Sequence, residues 1–121
     1  MGKIFGHRGL PHIYRENSIT GLNKAFEYCD YVETDVRITA DNNLILFHDP
    51  DINGQFINEL STEEILNKLN DVEKDELILS SRDQIDGKVN FEIKTNSLEK
   101  TQIDILFQKM LSILSPQDIV T

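Results

Sequence analysis

A chain of 121 residues has room for one domain with a modest core. Its 39% hydrophobic and 27% charged content fits a soluble globular protein and excludes a disordered one. The 12 Lys and Arg against 21 Asp and Glu leave a net charge of -9, which disfavours nucleic acid and anionic membrane surfaces as partners.

Ile4-Phe5 reads as a short buried first strand ending at Gly6, with His7-Arg8-Gly9 directly after it. Pro11 to Asn17 is a polar loop, and Asn17 or Ser18 caps a helix with Ile19, Leu22, Ala25, Phe26 and Cys29 on one face. Gly21 weakens that helix by up to about 1 kcal/mol against Ala, so it depends on packing. Tyr31 to Ile38 alternates: Val32, Thr34, Val36 and Ile38 face one way, Glu33, Asp35 and Arg37 the other. Asp41-Asn42-Asn43 is a turn, and Leu44 to His48 returns as an apolar strand, which would bring His48 near Asp35 or Arg37.

Asp49 to Leu60 is loop-like with a turn at Asn53-Gly54, and Ser61-Thr62-Glu63-Glu64 is a capping box opening a helix through Ile65, Leu66, Leu69 and Val72. Between Asp71 and Asp86 no helical stretch is evident, and Leu77-Ile78-Leu79 reads as a brief strand or a packed loop. Val89 to Ile93 is a further strand, with Phe91 and Ile93 on one face and Glu92 and Lys94 off the other or at its tip. Ser97 opens the strongest helix, where Ile103, Leu106, Phe107, Met110, Leu111 and Leu114 form an amphipathic stripe. Asp118 to Thr121 begins another strand. Strands alternating with helical segments imply βα units around a parallel sheet.

No run approaches the roughly 18 apolar residues of a membrane span. The opening Met1 to Gly6 is too short and too quickly polar for a signal peptide, and the only cysteine, Cys29, permits no intrachain disulfide. These features give a cytoplasmic, reducing compartment as the expectation, with Cys29 as a core thiol.

Four clusters carry the chemistry. Glu33 and Asp35 lie two apart on a strand and share a face, which calls for a cation or basic group between them, or else an exposed charged face. Glu92 and Lys94 repeat that logic at another strand end, where an ordinary ion pair is the alternative. C-terminal strand ends of a parallel sheet converge on one rim, so three carboxylates meeting there would offer oxygen-only coordination, suited to Mg²⁺ or Ca²⁺ rather than zinc. His7 and His48 can accept or donate protons near neutrality, and Arg8 can pair bidentately with phosphate oxygens, while Gly9 lets the backbone approach a ligand. His12 has no such companions and reads as surface.

Together the clusters resemble the glycerophosphodiester phosphodiesterase family. The resemblance rests on His7-Arg8-Gly9, Glu16-Asn17-Ser18, Glu33-Thr34-Asp35-Val36-Arg37-Ile38-Thr39 running on to His48-Asp49, and Phe91-Glu92-Ile93-Lys94, in that order and spacing. It implies an α/β fold of TIM-barrel-type (βα) units, a phospholipase-C-like phosphodiesterase barrel. Residues 1–121 would form a truncated N-terminal half, from barrel strand 1 to the start of strand 4. It further implies metal-dependent hydrolysis of small glycerophosphodiesters to glycerol 3-phosphate and an alcohol, a step of lipid metabolism. Glu33, Asp35 and Glu92 would be the ligands of Mg²⁺ or Ca²⁺, His7 and His48 the acid/base pair, and Arg8 and Lys94 the phosphate-holding cations. Arg15 stands where the family usually has proline. Two alternatives accompany this reading: a related phospholipase-D-like enzyme acting on lysophospholipid or sphingolipid headgroups, and a catalytically silent binding fragment. An open half-barrel would also favour self-association through its strand edges.

Overall fold

The computed structural model describes residues 5–9, 15–70 and 72–121, without the side chains of Phe5 and His7. Ile4, assigned above to the first strand, and His12, assigned to the surface, lie outside the described residues, as does most of the loop beginning at Pro11.

The elements in chain order are β1 (Phe5–His7), α1 (Ile19–Ala25), β2 (Tyr31–Ile38), β3 (Leu44–Leu46), β4 (Asp51–Ile52), β5 (Gln55–Phe56), α2 (Thr62–Leu69), α3 (Lys74–Leu77), β6 (Ile78–Leu79), β7 (Val89–Ile93), α4 (Lys100–Ile113) and β8 (Ile119–Val120). Single 3₁₀ turns occupy Ile57–Glu59 and Arg82–Gln84. Strand β2 is the hub of the sheet. It pairs parallel with β1 through Tyr31–Glu33 and parallel with β7 through Val32–Val36, while β8 adds parallel to the far side of β7. Residues 36–38 of β2 pair antiparallel with β3, which pairs antiparallel with β6. Because β7 accompanies β2 along both stretches, β1 and β3 share the opposite edge of β2, leaving a gap between them at Thr34 and Asp35.

The period-2 pattern of β2 produces two unlike faces. Val32, Val36 and Ile38 join Ile19, Leu22, Ala25, Val89, Phe91, Leu106 and Met110 in the main core. Strand β3 alternates between layers: Leu44 and Leu46 enter that core, whereas Ile45 joins Ile57, Leu60, Ile65, Leu77 and Ile78 in a second cluster. The hairpin extension is therefore covered on both faces, which explains its uninterrupted Leu-Ile-Leu run.

Local chemistry sets most element ends. Ser18 caps α1 by accepting from the Gly21 N–H at 3.1 Å, and the capping box of Ser61 and Glu64 opens α2. Asn53 and Gly54, both with positive φ (51° and 87°), turn β4 into β5, so the segment read as loop contains a two-strand hairpin. The segment from Val72 to Asp86 also holds more order than its pattern suggests: α3 runs into β6, so Ile78-Leu79 is a strand while Leu77 ends the helix.

Helix α4 begins at Lys100 with Glu99 as its cap, not at Ser97. Ser97 has φ of 67°, a left-handed conformation rather than the extended one of an N-cap, and its carbonyl accepts from Asn58 Nδ2 at 3.1 Å. Of the predicted stripe, Leu106 and Met110 are buried, whereas Phe107 and Leu111 remain 42% and 73% exposed. Helix α1 ends before Phe26, and Cys29, beyond it, is half-buried against the main core.

The starts of β7 and β8 are tied by a buried ion pair. Arg82 Nε and Nη2 each reach an Asp118 carboxylate oxygen at 2.7 Å, and Asp118 also accepts from Val89 N–H at 3.2 Å and Ser115 N–H at 3.0 Å. The Arg82 guanidinium further donates to the carbonyls of Ile85 and Gly87 and lies 6.0 Å from the Phe91 ring centroid. This clasp holds one end of β7; the other end carries Glu92.

Candidate active site

Strand register brings the predicted residues to one rim. Asp35 is the parallel partner of Glu92, and His7 is the partner of Glu33. Side chains alternate along each strand, so Glu33, Asp35 and Arg37 share the face of β2 on which Glu92 projects from β7. His7 is the last residue of β1 rather than the first after it. Its backbone is thus fixed beside Glu33, while its imidazole lies outside the described structure.

Asp35 is the centre of charge. Its residue is 1% exposed. Arg8 Nε lies 3.2 Å from Asp35 Oδ2, Lys94 Nζ lies 3.8 Å from Oδ1, and Asn17 Nδ2 donates to Oδ2 at 3.1 Å. Burial of a carboxylate is tolerable because two cations and an amide face it. Lys94 also donates to Glu92 Oε1 at 2.8 Å; that bond, working against partial burial and aided by Asp35 and His48, holds the Glu92 carboxyl below its usual range.

Arg8 sits at φ 57° in a tight turn, its N–H donating to the Glu33 carbonyl and its Nη1 to Glu16 Oε1 at 2.9 Å. Its Nε is buried and makes no hydrogen bond, only the ionic contact with Asp35. Gly9 also has a packing role. With φ of 83°, it packs so closely on α1 that an added Cβ would lie 2.8 Å from the Gly21 carbonyl carbon. The missing side chain of Gly9 thus serves the seating of α1 against the Arg8 turn.

The antiparallel return of β3 brings His48 back beside β2. Phe47 N–H donates to the Asp35 carbonyl at 3.0 Å, and Arg37 grips the His48 carbonyl through Nε at 3.1 Å and Nη2 at 2.6 Å. Arg37 is 5% exposed, and burial lowers its pKa against the pull of Asp35 and Asp49. It remains charged, since guanidinium does not deprotonate in proteins. His48 Nδ1 lies 2.9 Å from Asp49 Oδ1. A carboxylate there selects the tautomer with the proton on Nδ1 and leaves the Nε2 lone pair for chemistry. A cleft of about 350 Å³ bounded by Arg15, Glu16, Phe47, His48 and Asp49 adjoins this imidazole.

Among the described residues, no three His, Cys, Asp or Glu side chains stand grouped as a ready metal cage. The donor chemistry nevertheless fits a hard cation: Asp35 and Glu92 come from adjacent strands in register, and Glu33 precedes Asp35 by two residues on the same face. Lys94 and Arg8 supply the positive charge that this pair of carboxylates faces in the structure.

The expected proximity of His48 to Arg37 is borne out, with the His48 carbonyl as the point of contact, whereas Asn17, read as a helix cap and part of the Glu16-Asn17-Ser18 motif, was missed as a partner of Asp35. The available signal for Asn17 was its place in the Glu16-Asn17-Ser18 motif between the Arg8 turn and α1.

Parallel strands covered by helices, with carboxylates, cations and an imidazole gathered at their C-terminal ends, define an α/β barrel-type domain. The model of the glycerophosphoryl diester phosphodiesterase family matches residues 7–112, and the chain belongs to that family, the one its motifs resemble. Its fold matches the crystal structure of a glycerophosphodiester phosphodiesterase from Thermotoga maritima with a TM-score of 0.71 at 23% identity, covering 99% of this chain and 54% of that one. A phosphodiesterase from Oleispira antarctica, solved with its product sn-glycerol-3-phosphate, matches with a TM-score of 0.71 at 19% identity, covering 99% of this chain and 56% of that one. In sequence, a glycerophosphodiester phosphodiesterase from Bacillus altitudinis is 39% identical over 54 residues, or 44% of this chain and 22% of that protein. The chain therefore spans about half the length of these TIM-barrel-like structures. No described helix is long and apolar enough to cross a membrane.

Proposed function

We propose that this domain supplies the catalytic rim of a glycerophosphodiester phosphodiesterase that releases glycerol 3-phosphate and an alcohol. One observation carries the reading: the β2–β7 register sets Asp35 against Glu92, with Lys94 bonded to Glu92 and Arg8 against Asp35. Carboxylates for a cation and cations for a phosphate thus occupy a single rim.

Glu33, Asp35 and Glu92 would hold Mg²⁺ or Ca²⁺, which when bound would neutralise charge on the phosphate oxygens. Arg8, whose Nε faces Asp35, still has guanidinium Nη donors that with the Lys94 ammonium suit the phosphate itself. The glycerol hydroxyl next to the diester attacks phosphorus, forming one P–O bond as the bond to the leaving alcohol breaks. One of His7 and His48 takes the hydroxyl proton while the other protonates the alcohol; water then opens the cyclic phosphate. His48 is suited to such a task because Asp49 orients its ring and Arg37 fixes its backbone. Lipid metabolism is the setting such chemistry implies, and a reducing cytoplasm the compartment expected from the lone cysteine. Self-association is proposed as well, because Phe107, Leu111, Ile119 and Val120 stand exposed on α4 and β8.

The test is release of glycerol 3-phosphate from glycerophosphocholine by the chain, with and without EDTA. Chelation should abolish turnover and Mg²⁺ or Ca²⁺ restore it; turnover that survives chelation overturns the metal assignment. Replacing His48 with Ala should lower the rate by roughly 10²–10⁴-fold, the usual contribution of a general acid or base.

A further inference from the structure

The gap in the edge of β2 is filled by a side chain rather than a strand. Strand β1 ends opposite Glu33 and the antiparallel β3 ends opposite Val36, with Phe47 N–H taking only the Asp35 carbonyl, so the Asp35 N–H pairs with neither strand. Asn17 stands there. Its Oδ1 accepts from Thr34 Oγ1 at 2.8 Å and from the Asp35 N–H at 3.5 Å, and its Nδ2 donates to Asp35 Oδ2 at 3.1 Å. Asn17, Thr34 and Asp35 are 1%, 0% and 1% exposed, so water does not compete for these bonds. The backbone of Asn17, at φ 63°, simultaneously donates to the Arg8 carbonyl at 2.9 Å. One residue thus holds both the Arg8 turn and the Asp35 carboxylate.

We propose that Asn17 is a positioning residue for the metal-ligating role of Asp35, and that Thr34 sets the direction in which its amide points. The inference rests on the metal reading of the preceding section. The amide has one productive orientation. Turned over, its oxygen would meet the Asp35 carboxylate and its NH₂ would meet the Asp35 N–H, setting acceptor against acceptor and donor against donor. The Thr34 hydroxyl, donating to Oδ1, reinforces the arrangement. Asp35 Oδ2 is consequently committed to Asn17 and Arg8, while Oδ1 is turned toward Lys94 at 3.8 Å, the side on which Glu92 lies. Oδ1 is thereby the oxygen assigned to a cation. Thr34 lies on the core face of β2, remote in sequence pattern from the acidic face, yet reaches Asp35 through this amide.

The experiment measures Mg²⁺ and Ca²⁺ binding to the chain by calorimetry, with far-UV circular dichroism and a melting temperature on each variant. Thr34→Val keeps the shape and deletes the hydroxyl, Asn17→Ala removes the clasp, and Ser18→Ala damages the neighbouring α1 cap while leaving the clasp intact. The two clasp variants should weaken cation binding about 10–100-fold, as loss of a ligand's hydrogen-bond partner does. Ser18→Ala should lower the melting temperature and leave affinity unchanged. If Asn17→Ala does not fold, Thr34→Val decides alone. Wild-type affinity in both clasp variants, or equal losses in Ser18→Ala, overturns the positioning role and leaves the metal reading standing. A wild-type chain that binds neither cation overturns both.

Discussion

Replacing Arg82 with Ala strips the buried Asp118 of its only side-chain counter-charge among the described contacts, leaving it the Ser115 and Val89 N–H groups. The Asp118 side chain is 0% exposed and that of Arg82 17%, so the pair is not a solvent-screened surface bridge. Breaking a buried pair from one side costs roughly 3–5 kcal/mol. The carbonyls of Ile85 and Gly87 lose their donors in the same step, at about 1 kcal/mol each if nothing replaces them. Domain stabilities are about 5–15 kcal/mol, so the variant approaches marginal stability. With a urea slope of about 2 kcal/mol/M, the summed loss of roughly 5–7 kcal/mol should lower its midpoint by about 3 M. Urea denaturation at pH 7, followed by far-UV circular dichroism, measures this directly. The Asp118 carboxyl is held below its usual range because Arg82 and two N–H groups together outweigh its burial. A depressed carboxylate contributes stability above its unfolded pKa and loses it as pH falls through the folded value. The gap between wild type and variant should therefore narrow in acid. The double variant Arg82→Met/Asp118→Leu should regain the part of the loss due to a lone buried charge, but not the part due to the Ile85 and Gly87 carbonyls and the Ser115 and Val89 N–H groups, which it leaves without partners. A deficit under about 1 kcal/mol at pH 7 would mean the pair behaves as a surface bridge, and the clasp argument would fail.

Acid should also weaken the wild type, because Asp41 and Glu92 join Asp118 in being depressed; a melting temperature that is flat from neutrality to pH 3 would contradict this. Gly9→Ala forces a left-handed alanine against the backbone of α1, and the strain and overpacking should together cost about 2–4 kcal/mol, read from the same urea curves. Sedimentation velocity should show association that Leu111→Glu reduces, Leu111 being 73% exposed; a monomer at all concentrations would remove the self-association proposal.

The longer strands and most helices were legible because each has a local cause. Alternation in Tyr31 to Ile38 reflects one covered face, and Ser61 to Glu64 signals its helix through bonds made within four residues. The first turn of α4 was not legible: Ser97 resembles a cap, but its carbonyl is engaged by Asn58, far away in the chain. Its stripe also promised fuller burial than α4 obtains, since periodicity shows which face is apolar and not what lies against it. The hairpin β4–β5 was visible only as its Asn-Gly turn, because two-residue strands are too short to establish a period.

For the site, the amino-acid sequence by itself determined the inventory: carboxylates, cations and histidines in four clusters at strand ends, in a family's order. Tertiary structure decided which of them meet. The register opposing Asp35 and Glu92, the Arg37 grip on the His48 carbonyl and the Asn17 clasp all join residues of different elements. Their partners are set by how strands align and where an edge is left open. That information belongs to the packed sheet, because hydrogen bonds between distant segments exist only once burial has brought those segments together.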